Sequence, residues 1–156
     1  MRVSRAQAEE NRDRVIDVAS RLFREHGFDG IGLKDLMKGA GLTQGAFYKQ
    51  FTSKDDLAAL ASARAMESAT MRWSEAAANT SDPLEAVMDF YLSTEHRGEK
   101  AEGCPLVALG SDAARQNAEV RQPFEDGILA HFKVLENLIG GGEELEARNK
   151  ALSLIH

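Results

Sequence analysis

Residues 33–51, LKDLMKGAGLTQGAFYKQF, restrict the fold more than any other part of the chain, because two short helical patterns flank Gly41. The first pattern has apolar side chains at the spacing of one helix face, at Leu33, Leu36, Met37 and Ala40. Gly41 suits the left-handed backbone of a tight turn, and the side chain of Leu42 in that turn should pack into the core. Thr43 is expected to cap a second helix through its hydroxyl, and this helix should end near Lys49. A long helix followed by two such short ones is typical of a helix-turn-helix.

The second short helix has more polar side chains than packing alone requires. Ala46 and Phe47 are expected to face the other two helices. The polar side chains left outside are Thr43, Gln44, Tyr48 and Lys49. A helix in the DNA major groove needs such donors and acceptors, and Gly45 lets the backbone approach a phosphate or base closely. A helical hairpin with a merely solvated polar face is the alternative that this pattern leaves open.

The rest of the chain carries helical patterns with short breaks. Ser53 and Asp82 are expected to cap two further helices, and Gly27 and Gly140–Gly142 to end others. Helices are predicted at about residues 4–26, 33–40, 43–49, 53–78, 83–94, 105–115 and 118–139 and from 143 onward, with a charged loop at 95–103. The buried side of the helix at 118–139 should carry Val120, Phe124, Ile128, Phe132 and Leu135. The predicted fold class is therefore all-α.

Charge is distributed unevenly along the chain, whose overall net charge is −6. Residues 1–54 carry ten Lys/Arg and seven Asp/Glu, whereas the remainder carries nine and eighteen. A basic N-terminal segment followed by an acidic remainder indicates that only residues 1–54 would contact a polyanion such as DNA. Ordinary scatter of surface charge is the competing interpretation.

Several classes of protein are not favoured by the sequence. A single cysteine, Cys104, excludes an internal disulfide and fits a reducing compartment. The polar N-terminus has no secretion signal and no apolar run is long enough for a membrane span, so a cytoplasmic location is expected. The four histidines lack metal-ligand spacing, and no phosphate loop or catalytic motif is present. We therefore expect no metal, no cofactor and no catalytic residues.

Motif positions on both sides of the turn resemble the N-terminal DNA-binding region of the tetracycline-repressor (TetR/AcrR) family. The matching positions are Ala19, Leu22-Phe23, Gly27-Phe28, Leu36, Ala40-Gly41-Leu42, Gly45, Phe47-Tyr48, Phe51, Ser53-Lys54 and Leu57. The resemblance covers about residues 11–60. It implies a DNA-binding domain at 1–52 and a helical ligand-binding and dimerisation domain at 53–156. DNA contacts are implied at Lys34, Thr43, Gln44, Gly45, Ala46, Tyr48, Lys49 and Lys54.

The resemblance also implies a homodimer that represses at a palindromic operator and is released by a small-molecule inducer. Candidate ligand contacts are Met66, Trp73, Phe90, Tyr91, Cys104, Phe124, Ile128 and His131. Aromatic and Met stripes at helical spacing are more often ordinary core, whereas the polar tips of Tyr91 and His131 need partners when buried. Family members usually continue for two more long helices that form the dimer interface. This chain ends inside what resembles the first of them, so it is expected either to be truncated at its C-terminal end, or to dimerise through other surfaces, or to be impaired as a dimer.

Cys104 precedes Pro105 at a predicted helix start, where free N–H groups stabilise a thiolate. Some members of the family sense oxidants or electrophiles through a cysteine, and the EGCPL segment resembles that setting. A small buried cysteine is the plainer interpretation. A small helical enzyme using Cys104 with a nearby His is another rival, as is an interaction module that kept the helix-turn-helix scaffold without binding DNA.

Overall fold

The computed structural model describes residues 4–140 and 144–155, and within these ranges every regular element is a helix. The helices are α1 (Arg5–His26), α2 (Leu33–Gly39), α3 (Gln44–Phe47), α4 (Lys54–Ala77), α5 (Pro83–Leu92), α6 (Thr94–Gly98), α7 (Pro105–Ala113), α8 (Ala118–Ile139) and α9 (Glu144–Ile155). The all-α class predicted from the sequence is confirmed. None of the described helices combines the length and apolar character needed to cross a membrane.

Capping side chains explain where the longer helices begin. An oxygen of the N-cap side chain accepts a hydrogen bond from the backbone N–H three residues on at Ser4, Ser53, Asp82 and Asn117. Each of these bonds satisfies one of the N–H groups that a helix start leaves without a partner. Gly27 follows α1 and Gly41 follows α2, and both adopt positive φ (79° and 71°) as the turns require. The predicted roles of Ser53, Asp82 and both glycines are confirmed.

Three local predictions were wrong. Helix α3 ends at Phe47 rather than near Lys49, and the chain continues in turns, with Gln50 N–H donating to the Phe47 carbonyl at 2.9 Å. Thr43 stands at the N-cap of α3, but its side chain makes no capping hydrogen bond. The segment expected to be a charged loop contains α6, because Ser93 Oγ accepts from the His96 N–H and starts a short helix there. Of the predicted glycine break, Gly140 follows α8, while Gly141 and Gly142 lie outside the described residues.

One hydrophobic core joins the helix-turn-helix to the rest of the described chain. Phe47 of α3 and Phe23 of α1 are buried in it, as are Leu109 of α7 and Phe124 of α8. The ring of Phe28, which follows α1, lies 5.3 Å from that of Phe23 and 6.4 Å from that of Phe124. Because packed cores resist small displacements, helices α1 to α3 are held firmly against the helices that follow.

The buried side of α8 differs from the predicted one. It carries Val120, Phe124, Gly127, His131 and Leu135. Ile128 is 37% exposed and does not belong to it. Gly127 faces Met66 of α4 so closely that an added Cβ would stand 2.3 Å from the Met66 Cε. The small residue sets the rotation of α8, because the backbones of α4 and α8 can approach only where one of them has no side chain.

Candidate DNA interface and ligand cavity

Helix α3 presents a polar face that is supported from behind by one buried ring. Phe47 is completely buried, and its ring stacks on that of Phe51 at a centroid distance of 5.3 Å. The ring of Tyr48 stands perpendicular to that of Phe47 at 5.2 Å, yet the Tyr48 side chain is 68% exposed. The other exposed residues of this face are Thr43, Gln44, Gly45 and Lys49. Ala46 is half-buried against the core. This arrangement has a polar outer face and an apolar anchor, as a recognition helix requires.

The two lysines predicted outside α3 differ in their surroundings. Lys34 on α2 is exposed. Lys54, the first residue of α4, is half-buried, and its Nζ donates to the Phe28 carbonyl at 2.6 Å. An ammonium has three donors, so two of them remain for a phosphate. The carboxylate of Asp56 lies in the same first turn and accepts from the Thr52 N–H, which weakens the positive field there.

A cavity of about 370 Å³ lies among α4, α5, α7, α8 and α9. Four of the predicted ligand contacts line it, namely Trp73, Tyr91, Cys104 and His131. The remaining lining residues are apolar: Val87, Met88, Leu92, Leu106, Val107, Leu135 and Leu154. Its volume falls in the range of small-molecule sites, and its mixture of aliphatic and aromatic walls with few polar groups is typical of them.

The other four predicted ligand contacts do not line this cavity. Phe90 lies beside it and stacks under the Arg72 guanidinium at 4.9 Å. Met66 lines a separate groove of about 670 Å³ between α4 and α8. Phe124 is buried in the core, and Ile128 lines none of the described cavities.

Aromatic rings shape the cavity and set its polar chemistry. The Trp73 ring stands perpendicular to the Tyr91 ring at 5.8 Å and to the His131 ring at 4.4 Å. Burial, together with a hydrogen bond to Cys104, raises the pKa of Tyr91 well above its ordinary value. Tyr91 therefore stays a neutral phenol, and it and the Cys104 side chain are partners of each other.

His131 is 1% exposed and holds a definite protonation state. Its Nδ1 donates to the Gly127 carbonyl at 2.8 Å, whereas its Nε2 is buried and has no partner among the described residues. Burial lowers the pKa of His131, and the bond to Gly127 only partly opposes this. The ring is therefore neutral near pH 7, with the proton on Nδ1 and a free lone pair on Nε2.

Comparison with known proteins connects this geometry to a family. The description "Bacterial regulatory proteins, tetR family" matches residues 15–61, which contain α2 and α3. The HTH-type transcriptional regulator AcrR of Shigella flexneri is 41% identical over 56 residues, which make up 36% of this chain and 26% of that protein. Residues 15–61 therefore match the N-terminal region of the tetR family, which confirms the resemblance found in the sequence over this part of the chain.

Longer alignments extend over most of the chain. The HTH-type transcriptional regulator YxaF of Bacillus subtilis is 26% identical over 153 residues, covering 94% of this chain and 80% of that protein. The crystal structure of a TetR transcriptional regulator from Chloroflexus aurantiacus superposes with a TM-score of 0.83 at 26% identity, covering 96% of this chain and 81% of that one. AibR, in complex with isovaleryl coenzyme A and operator DNA, superposes with a TM-score of 0.62 at 14% identity, covering 93% and 82%.

A contact that sequence reasoning missed joins the helix-turn-helix to the cavity. Arg24 near the end of α1 is buried, and its Nη1 donates to the carbonyl of Gly103, the residue before Cys104. Its Nε and Nη2 donate to the carbonyl and hydroxyl of Ser20. The Glu102 carboxylate lies 3.7 Å from the guanidinium. Burial lowers the pKa of Arg24, but an arginine remains charged at any ordinary pH.

Arg72 of α4 holds the same segment from the other side. It donates to the Glu102 carbonyl and to the Glu99 carboxylate, each at 2.7 Å. Arg24 and Arg72 thus hold residues 99–103, which lead directly into Cys104, and Arg21 of α1 adds an ion pair to Glu102 at 2.8 Å. No local pattern could have revealed the Arg24 contact, since 79 residues separate its partners. In the part of the chain that the structure describes, no group of three or more His, Cys, Asp or Glu side chains is placed to hold a metal ion.

Proposed function

We propose that this chain is a transcriptional repressor that binds an operator through α3 and is released when a small molecule enters the cavity beside Cys104. The observation that carries the proposal is the exposed polar face of α3, anchored by fully buried Phe47. The proposed DNA-binding domain is residues 1–52, and the proposed ligand-binding and dimerisation domain is residues 53–156. The names of the relatives, which are transcriptional regulators, support a regulatory rather than an enzymatic role. The proposed location is the cytoplasm.

Base and phosphate contacts would be divided along α3 and its neighbours. Gln44 and Thr43 offer a side-chain amide and a hydroxyl to base edges, while Lys49 and Lys54 offer ammonium groups to phosphates. A helix as short as α3 reads few base pairs, so a homodimer on a palindromic operator is the assembly that would supply enough specificity. AibR, with the same fold, has been captured with both an acyl-CoA and operator DNA, which supports a site of each kind on one chain.

Release would pass through the segment that Arg24 and Arg72 hold. Gly103 is bonded to α1, and the next residue, Cys104, lines the cavity. A ligand that displaces Cys104 would strain the Arg24 bond and thereby shift α1, against which α2 is packed. Coupling between two such sites is typically worth about 1–3 kcal/mol, which corresponds to a change in DNA affinity of roughly 5–150-fold.

The DNA-binding part of the proposal is tested by salt dependence. Fluorescence anisotropy would measure the affinity for DNA from the region upstream of the protein's own gene, across a series of salt concentrations. Lys49→Ala and Lys54→Ala should each weaken binding and flatten the plot of log K against log salt by about 0.9 for every phosphate that is no longer neutralised. Lys133→Ala, on the exposed side of α8, is the matched control and should change neither quantity. An unchanged slope in both test variants would reject the phosphate role.

Sensing through Cys104 is a second candidate, favoured by its position. Its side chain is hydrogen-bonded to Tyr91, and it opens α7 between two cavities, one of about 370 Å³ and one of about 410 Å³. Addition of the Cys104 thiolate to an electrophilic alkene would form a C–S bond, with a proton taken up by the adjacent carbon. N-ethylmaleimide treatment should then lower DNA affinity in the wild type but not in Cys104→Ser. Modification at the rate of a free thiol, with unchanged DNA affinity, would dispose of sensing.

A further inference from the structure

We infer that the cavity beside Cys104 selects an uncharged aromatic molecule carrying one hydroxyl, a phenol, which donates its hydrogen bond to His131 Nε2. This inference rests on the proposed function in taking that cavity as the effector site, and it specifies the chemistry of the effector. Three properties of the described residues carry it, namely an unpartnered buried acceptor, an uncharged lining and a set of perpendicular rings.

The unpartnered acceptor is Nε2 of His131. The Nδ1 proton is committed to the Gly127 carbonyl at 2.8 Å, which fixes the tautomer and leaves Nε2 as a lone pair at the tip of the ring. Among the described residues, four side-chain atoms are buried without a partner, at Gln50, Ser62, His96 and His131, and only His131 lines this cavity. A buried acceptor without a donor is costly, so the site favours a ligand that brings a donor.

The lining disfavours a charged ligand. Among the described residues that line this cavity there is no Asp, Glu, Lys or Arg. An anion would meet the Nε2 lone pair with no cation in the lining to pair with, and a cation would be desolvated without a carboxylate to pair with. Of the other polar groups of the lining, Tyr91 and Cys104 are hydrogen-bonded to each other, and the Trp73 indole N–H is a donor only. His131 is therefore the buried acceptor whose capacity is unused, and a single donor on the ligand satisfies it.

The walls favour a ring next to that donor. Trp73 stands perpendicular to both Tyr91 and His131, and all three rings belong to the cavity lining. Met88 and Leu106 add flexible apolar surface to it. A volume of about 370 Å³ holds a ring with a short alkyl chain, and it far exceeds the space of one bound water, which would otherwise be the simplest donor for Nε2.

Three probes of nearly equal size test the inference by isothermal titration with the full chain. They are 4-propylphenol, its methyl ether 4-propylanisole, and 4-propylbenzoate. The phenol should bind about tenfold more tightly than the ether, which is the usual net effect of one buried hydrogen bond, and the benzoate should bind most weakly. Equal affinities of phenol and ether, tighter binding of the benzoate, or no binding of any probe would overturn the inference.

His131→Phe keeps a ring of similar size but removes the acceptor, and it should abolish the preference for the phenol over the ether. Ile128→Ala, on the exposed side of the same helix, is the control and should keep the preference. If the phenol remained preferred in His131→Phe, the assignment of Nε2 would be wrong.

A measurement on the unaltered protein covers the case in which His131→Phe fails to fold. With ¹⁵N-labelled histidine, the Nε2 resonance of His131 should be that of an unprotonated nitrogen. It should move when 4-propylphenol is added and stay in place with the ether. A protonated Nε2 in the free protein, or equal shifts with both compounds, would contradict the inference.

DNA binding is measured separately, so that the two proposals can fail independently. Phenol selectivity without any DNA binding would leave the cavity chemistry standing and refute the repressor function. DNA binding with no selectivity for the phenol would refute the cavity chemistry alone.

Discussion

Two glycines in the helical body should respond in opposite ways to the same substitution by alanine. Gly110 lies inside α7, and an added Cβ there would have no neighbour within 4 Å. Alanine restricts the unfolded chain more than glycine and favours a helix, so Gly110→Ala should raise the free energy of unfolding by about 0.5–1 kcal/mol.

Gly127 has the same helical propensity to gain but no room for the methyl group. Its added Cβ would stand 2.3 Å from Met66 Cε and 2.7 Å from both Cβ and Cγ of Met66. The terminal methyl of Met66 can rotate away, but its Cβ can move only if α4 and α8 separate. Overpacking of this kind costs about 1–3 kcal/mol. Once the gain in helix propensity is deducted, Gly127→Ala should lower the free energy of unfolding by about 1–2 kcal/mol.

Urea unfolding followed by circular dichroism measures both variants against the wild type. All samples need the same protomer concentration, since association would contribute to the apparent stability. The midpoints should shift in opposite directions with little change in the urea dependence of the free energy. A Gly127→Ala protein as stable as Gly110→Ala would refute the close approach of α8 to α4 at Met66.

Three further changes have defined outcomes. Gly45→Ala meets no atom within 4 Å, so it should not lower the unfolding midpoint, yet its methyl group on the outer face of α3 should weaken DNA binding in an anisotropy titration. Arg24→Leu leaves the Gly103 carbonyl and Ser20 without their donor, and it should lower the free energy of unfolding by about 2–4 kcal/mol in the same urea assay. Burial lowers the pKa of His131 in the folded state. Below about pH 6.5, His131 is therefore protonated in the unfolded chain but still neutral in the folded chain. The wild type should therefore lose more stability than His131→Phe between that pH and the lowered pKa, and parallel pH profiles of the two proteins would contradict this.

Local signals in the sequence were sufficient to predict the helix-turn-helix. Gly27 and Gly41 mark turns that need positive φ, and apolar residues at helical spacing identify the sides of α1 and α2 that pack. The boundaries were harder to predict. Helix α3 stops at Phe47 because the chain then turns to bury Phe51, a tertiary effect that no residue of α3 encodes. Helix α6 was missed because its charged composition concealed the capping residue Ser93.

The residues that line the cavity could be predicted only in part, because apolar periodicity identifies the buried positions of a helix by their hydrophobicity alone. On α8 that criterion favours Ile128, whereas the buried side is set by Gly127 and His131. Gly127 allows α4 to approach, and its carbonyl accepts a hydrogen bond from His131 Nδ1. Neither effect has a hydrophobic signature, so the role of a small residue and a buried imidazole becomes visible only in the folded chain.

Among the charged side chains that connect the helix-turn-helix to the rest of the chain, Arg24 and Lys54 donate to backbone carbonyls. Arg24 bonds to Gly103, and Lys54 bonds to the Phe28 carbonyl at 2.6 Å. Lys54 is also a proposed phosphate contact, so its removal would disturb this joint between the helix-turn-helix and α4, the hydrogen bond to Phe28, as well as the DNA interface. Lys49 lies outside that joint, since it is exposed beyond the end of α3. A reduced affinity in Lys54→Ala therefore has two physical sources, whereas a change in its salt slope has one, because only displaced phosphate counterions contribute to that slope.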